Sequence, residues 1–129
     1  MWLPAATSFP ESGRGGGVEG ERVDWGQPPA LTVGDRWVEG EATVTVRGEI
    51  DISTAGILAG RLAAVIGRGP RRLVIDMAGV DFMDSSGLHA LIRVRAALPE
   101  ECPVVLRSLQ QQVRRVLEVS GLSTVFDFG

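Results

Sequence analysis

Apolar and polar residues alternate with a period of two over residues 42–47, which is the pattern of a half-buried β-strand. A shorter and weaker strand pattern precedes it at residues 31–33 and 37–38. Residues 39–41, Glu-Gly-Glu, have the composition of a turn. Because only this turn separates the two strand patterns, they predict an antiparallel hairpin.

Apolar stripes at helical spacing alternate with short apolar runs in the rest of the chain. The stripes are Leu58, Leu62, Val65 and Ile66, then Leu88, Leu91, Ile92 and Leu98, then Leu109, Val113, Val116 and Leu117. The runs at residues 73–75, 102–106 and 125–128 predict strands. The order ββαβαβαβ predicts an α/β domain: a mixed sheet of about five strands, with an N-terminal β-hairpin and three main helices.

Single residues mark the ends of these helices. Pro99 ends the second helix, and Ser108 is the predicted cap of the third. Gly121 is expected in the left-handed conformation after the third helix, with Leu122 in contact with Leu117.

The first 30 residues differ in composition from the rest. They contain four prolines and a run of three glycines, with few apolar residues to bury. We expect residues 1–30 to form a flexible N-terminal tail and residues 31–129 to form one domain.

Polar residues that could take part in binding or catalysis follow two of the predicted strands. The first helix connects the second strand to the third as a crossover, so these strands are expected to be parallel, with their carboxyl ends at one edge. In open α/β sheets this edge is where functional sites gather. The residues expected there are Glu49, Asp51, Asp81, Asp84, Ser85 and Ser86.

Composition and charge exclude several classes of function. The chain of 129 residues has a formal net charge of −3, which gives no electrostatic footprint for nucleic acid or an anionic membrane. No apolar run approaches the roughly 20 residues that span a bilayer. The one cysteine, Cys102, has no partner for an internal disulfide, and no Cys/His cluster suggests a metal. We expect a cytoplasmic monomer with no cofactor.

Three uses are open for the segment DFMDSSGL, residues 81–88. Asp84 or Ser85 could cap the second helix, with Val80, Phe82 and Met83 directed into the core. A serine could be a nucleophile paired with His89, although the segment lacks the G-x-S-x-G turn of hydrolases. A serine at a helix start could also accept a phosphate. Gly87 costs about 1 kcal/mol relative to Ala inside a helix, which indicates a need for access or close packing.

The sequence resembles the STAS family, in particular the bacterial anti-sigma factor antagonists. Four segments in the family's order carry the resemblance: residues 46–51 (VRGEID), 73–77 (LVIDM), 80–88 (VDFMDSSGL) and 113–122 (VRRVLEVSGL). It covers roughly residues 31–128 and implies the STAS fold for the predicted mixed sheet.

The resemblance implies a partner switch in which this chain is a substrate and not an enzyme. Unphosphorylated, it would bind an anti-sigma factor that is a serine kinase, and so free a sigma factor. The kinase would then phosphorylate Ser85, with Ser86 as the second candidate, and release itself. A metal-dependent phosphatase of the PP2C type would restore the active form. Asp51 and Asp84 would shape the docking surface.

The resemblance also implies a partner-binding surface, and two alternative functions are open. The surface comprises Glu49, Asp51, Asp84, Ser85, Ser86, Gly87 and His89. One alternative is a STAS accessory or scaffold module of a transporter or signalling complex. The other is a serine hydrolase that uses His89.

Overall fold

A computed structural model describes residues 30–129, and the chain there forms five strands and three helices in the predicted order. The elements are β1 (Leu31–Val38), β2 (Glu41–Ile50), α1 (Ala55–Ile66), β3 (Arg72–Met83), α2 (Ser85–Ala97), β4 (Val104–Arg107), α3 (Gln111–Val119) and β5 (Asp127–Phe128). The sheet has the order β1-β2-β3-β4-β5. The β1–β2 hairpin is antiparallel and the other pairs are parallel, which confirms the predicted mixed sheet. Apart from Ala30, the expected tail lies outside the described residues.

The core lies between one face of the sheet and the helices. Ala42, Val44 and Val46 of β2 are completely buried, and Val44 stands beside the equally buried Ile75 of β3. These residues form one hydrophobic cluster with the buried stripes of the helices, which include Leu58 and Leu62 of α1, Leu91 of α2 and Leu117 of α3. Burial of one such side chain stabilises the fold by about 1.5–3 kcal/mol, so the alternation in the sequence sets which face of β2 packs in the core.

The strands β2 and β3 are longer than predicted. Glu49 was expected in a loop but belongs to β2, and Asp81 belongs to β3, because backbone pairing continues to Ile50 and Met83. A register shift near Gly48 places an extra β3 residue opposite β2 and interrupts the alternation of side chains. Phe82 is consequently 40% exposed, so its predicted place in the core is wrong, whereas Met83 is buried.

The third helix begins later than predicted and ends as predicted. Ser108 is not its cap: it has a left-handed backbone (φ 61°), and Gln110 is the residue before the helix. Ser108 directly follows the last residue of β4, so the left-handed turn lies between β4 and α3. At the other end Gly121 has φ 78°, and the Leu122 amide donates to the Leu117 carbonyl at 3.1 Å. This is the Schellman arrangement that the sequence predicted.

Two glutamine side chains bind the backbone of β3 beyond the point where its pairing with β4 ends. The strand β4 pairs with β3 only between Leu73 and Asp76, so the rest of that β3 edge needs other partners. Gln112 accepts from the Met83 amide at 2.9 Å and donates to the Met83 carbonyl at 3.1 Å. Gln110 donates to the Ala78 carbonyl at 2.7 Å. The start of α3 is therefore fixed against the end of β3.

Gly87 permits the close approach of α2 to the ends of β2 and β3. A Cβ atom there would lie 2.6 Å from Ile50 Cγ2 and 2.6 Å from Met83 Cγ. Neither distance is compatible with an unshifted neighbour, so the helix start can reach these strand ends only as glycine. Of the two reasons that the sequence left open for this glycine, access and close packing, the contacts support close packing.

We expect Gly87→Ala to lower the free energy of unfolding by about 1–2 kcal/mol. Overpacking costs about 1–3 kcal/mol, and the higher helix propensity of alanine returns up to about 1 kcal/mol. Gly60→Ala in α1 is the matched control, because its Cβ would have nothing within 4 Å and should stabilise the protein. Urea unfolding of both variants measures the difference; equal stabilisation would contradict the packing role of Gly87.

We expect Gln112→Ala to cost about 1–2 kcal/mol, because it leaves the amide and carbonyl of buried Met83 without their partner. Hydrogen exchange at the Met83 amide should also accelerate. The control is Gln111→Ala, an exposed neighbour that should stay within about 0.5 kcal/mol of the parent. Unchanged protection of Met83 in Gln112→Ala would show that the glutamine does not act as a strand partner.

Candidate functional site

Asp84 links the end of the sheet to the start of α2. Its backbone is extended, and its amide donates to the Ile50 carbonyl at 3.1 Å. Its carboxylate Oδ1 accepts from the Ser86 amide at 2.8 Å, so of the two cap candidates in the sequence, Asp84 and Ser85, the cap is Asp84. One of the otherwise unpaired amides of the helix start is satisfied in this way.

Asp51 organises the turn between β2 and α1. Its Oδ1 accepts from the Ser53 amide at 2.9 Å, the Ser53 hydroxyl at 2.6 Å and the Thr54 amide at 3.2 Å. The Thr54 hydroxyl, which is buried, donates to the Glu49 carbonyl at 2.8 Å. The hydrogen bond from the Ser53 hydroxyl is the main reason that the pKa of Asp51 lies below its usual value. Asp51 is thus a carboxylate at neutral pH, and its Oδ1 accepts hydrogen bonds within its own turn.

The two segments lie side by side at the carboxyl edge of the sheet. Asp51 follows Ile50 directly, and the Ile50 carbonyl binds the Asp84 amide. The pairing of Ile50 with Met83 brings both segments to this edge, as the predicted crossover requires.

Ser85 faces a cleft between α2 and α3. It is exposed as the first residue of α2. The cleft has a volume of about 360 Å³, and its lining comprises Asp84, Ser85 and Leu88, then Gln112, Arg115, Val116, Val119 and Ser120. Val119 is 80% exposed, so apolar surface is open beside the hydroxyl. Sequence reasoning missed Gln112 and Arg115, although their spacing with Val116 and Val119 places all four on one face of the predicted helix.

Ser86 faces a different surface on the other side of α2. It lines a groove of about 230 Å³ together with His89, Ala90 and Arg93 of its own helix and with Ala55, Gly56 and Ala59 of α1. Consecutive helical residues point about 100° apart, so the two serines serve separate surfaces.

The structure places neither His89 nor Gly87 in the lining of the Ser85 cleft. His89 lines the groove of Ser86 and not the cleft of Ser85, and within residues 30–129 it forms no hydrogen bond to either serine. The serine–base contact that a hydrolase needs is thus not formed. Gly87 was expected on the partner-binding surface, but it is buried beneath the start of α2.

Other chemistry is limited in the described part of the chain. Residues 30–129 contain no group of three or more His, Cys, Asp or Glu side chains placed to hold a metal ion. None of the helices described there is long and apolar enough to cross a membrane. Cys102 is buried, and that burial raises the pKa of its thiol.

Comparison with known proteins shows which family the chain belongs to. Residues 33–127 match the family profile described as "Mlab, STAS domain". The chain is 31% identical over 90 residues to BtrV of Bordetella bronchiseptica, provisionally named an anti-sigma factor antagonist; the match covers 69% of this chain and 78% of BtrV. It is 29% identical over 99 residues to the anti-sigma-F factor antagonist RsfB of Mycobacterium tuberculosis, covering 77% and 81% of the two chains.

A solved structure agrees with these sequence relationships. The crystal structure of an anti-sigma factor antagonist from Mycobacterium paratuberculosis is 34% identical, with a TM-score of 0.70, over 79% of this chain and 87% of that one. The chain therefore belongs to the STAS domain family, among relatives named as anti-sigma factor antagonists.

Proposed function

We propose that this chain is an anti-sigma factor antagonist controlled by phosphorylation of Ser85. Unphosphorylated, it binds an anti-sigma factor that is a serine kinase, and this binding frees a sigma factor. The observation that carries the proposal is the exposed hydroxyl of Ser85 at the start of α2, beside the turn of Asp51. The names of BtrV, RsfB and the mycobacterial structure support the same role.

Phosphorylation of Ser85 changes the surface of the protein and leaves its fold unchanged. The hydroxyl is exposed, while Leu88 and Leu91 of the same helix remain buried in the core. A phosphate adds a charge of about −1.5 to −2 and three acceptor oxygens, and the amides of a helix start tolerate it. A partner docked on this edge would meet that new charge and its desolvation cost.

The partner-binding surface that we propose consists of the side chains around this edge and of two residues, Ser86 and His89, from the adjoining groove between α1 and α2. These are Glu49, Asp51, Asp84, Ser85, Ser86 and His89, of which Asp51 and Asp84 also hold the backbone of the edge. Gly87 contributes by packing and not by contact.

The catalytic groups of the switch belong to other proteins. The kinase transfers the γ-phosphoryl group of ATP to Ser85 Oγ, with release of ADP and the hydroxyl proton. A phosphatase of the PP2C type hydrolyses the phosphoester. This chain is the substrate of both.

We expect an anti-sigma factor kinase captured on the immobilised chain to add one phosphate, at Ser85, in the presence of ATP and Mg²⁺. Mass spectrometry locates the phosphate. Ser85→Ala should abolish the modification and the matched variant Ser86→Ala should retain it. Full modification of Ser85→Ala at Ser86 would overturn the assignment. Capture of transporter subunits in place of a kinase would favour the accessory-module alternative.

We expect Ser85→Asp to weaken binding of the kinase by about tenfold or more, which corresponds to about 1.4 kcal/mol, while Ser85→Ala stays within about threefold. Thr124→Asp adds the same charge at an exposed position before β5, near the opposite edge of the parallel sheet, and should have little effect. Calorimetry measures the three affinities. Equal affinity of Ser85→Asp and Ser85→Ala would contradict control by charge.

A further inference from the structure

Arg115 stands across the α2–α3 cleft from Ser85. Both residues line this cleft, together with Leu88, Val116 and Val119. The two hydrogen bonds of Gln112 to Met83 hold α3 at a fixed position relative to the start of α2. Arg115 lies three residues after Gln112, on the same side of α3, so its place over the cleft follows from that anchor.

The charged residues around Ser85 differ in the groups that they already bind. The ion pairs within residues 30–129 involve other arginines, and Arg115 takes part in none of them. Asp84 is the other charged residue of the cleft, and its Oδ1 caps the Ser86 amide. Asp51 binds Ser53 in its own turn. Arg93 lines the groove of Ser86, on the other side of α2.

Within residues 30–129, the neighbouring elements contribute no other cation to the lining of the cleft. The strand ends supply Glu49 from β2 and Asp81 from β3, and both are exposed. The residues of α1 that face α2 in the groove are Ala55, Gly56 and Ala59. In the described part of the chain, Arg115 is therefore the positive group that shares a surface with Ser85.

We propose that Arg115 binds the phosphate of phosphorylated Ser85 across the α2–α3 cleft. The inference rests on the proposed function only in taking Ser85 as the modified residue. A guanidinium pairs with phosphate through two parallel N–H···O hydrogen bonds, which neutral or ammonium donors do not reproduce. The pair forms in a cleft that is also lined by the apolar side chains of Leu88, Val116 and Val119.

The test uses the full chain with phosphoserine installed at position 85 during synthesis, so that no kinase is needed. A ³¹P NMR titration gives the second pKa of the phosphate, which is about 6 without a partner. Asp84 favours the monoanion and the amides of the helix start favour the dianion, so Arg115 is tested by a difference: we expect this pKa to be lower in the parent than in Arg115→Gln by about half a unit or more. Arg115→Lys should give a value between those of the parent and Arg115→Gln.

Arg114→Gln is the matched control, because Arg114 is exposed on the same helix but does not line the cleft. It should keep the pKa of the parent. The proposal is overturned if Arg115→Gln titrates like the parent, or if Arg114→Gln raises the pKa as much as Arg115→Gln does. The result is independent of the kinase experiment: a kinase that modifies only Ser86 would remove the proposed function and leave this titration interpretable.

Discussion

The backbone pairing of Ile50 with Met83, at the carboxyl ends of β2 and β3, is the constraint on which the candidate site depends. The Ile50 carbonyl continues the pairing by accepting from the Asp84 amide, which sets the start of α2. Both strand residues press against Gly87, which leaves no room for a side chain there. Gln112 binds the Met83 backbone from the other side and so positions α3. The turn, the two helices and the cleft therefore share one small region of buried backbone.

The carboxylates of the site stabilise the backbone around them. Asp51 closes its turn and Asp84 caps α2, each through Oδ1. Hydrogen bonds of this kind stabilise the ionised form, and the pKa of Asp51 is lowered accordingly. These groups provide a fixed negative edge that a docking protein meets with little cost in side-chain ordering. Their charge is the same whatever the state of Ser85, whose exposed hydroxyl is the site of the modification that we propose.

Helix α2 separates two surfaces that the sequence presents as one dipeptide. Ser85 belongs to a cleft with apolar side chains and Arg115, and Ser86 belongs to a groove of small residues with His89 and Arg93. A modification of one serine would change a different surface from a modification of the other. The buried stripe of α2 holds the helix in place in either case, so the fold can carry a surface switch without rearrangement of its core.

The sequence by itself determined the order of the elements, the N-terminal hairpin, the parallel crossover and the glycine end of α3, because each depends on local periodicity or on turn chemistry. It also carried the resemblance to the STAS family, which the family profile confirms. Tertiary structure alone decided the length of β3, the exposure of Phe82 and the start of α3. It also paired Gln112 with Met83, 29 residues away, and separated the two serines. Such features arise from contacts between distant segments, which no local pattern of residues encodes.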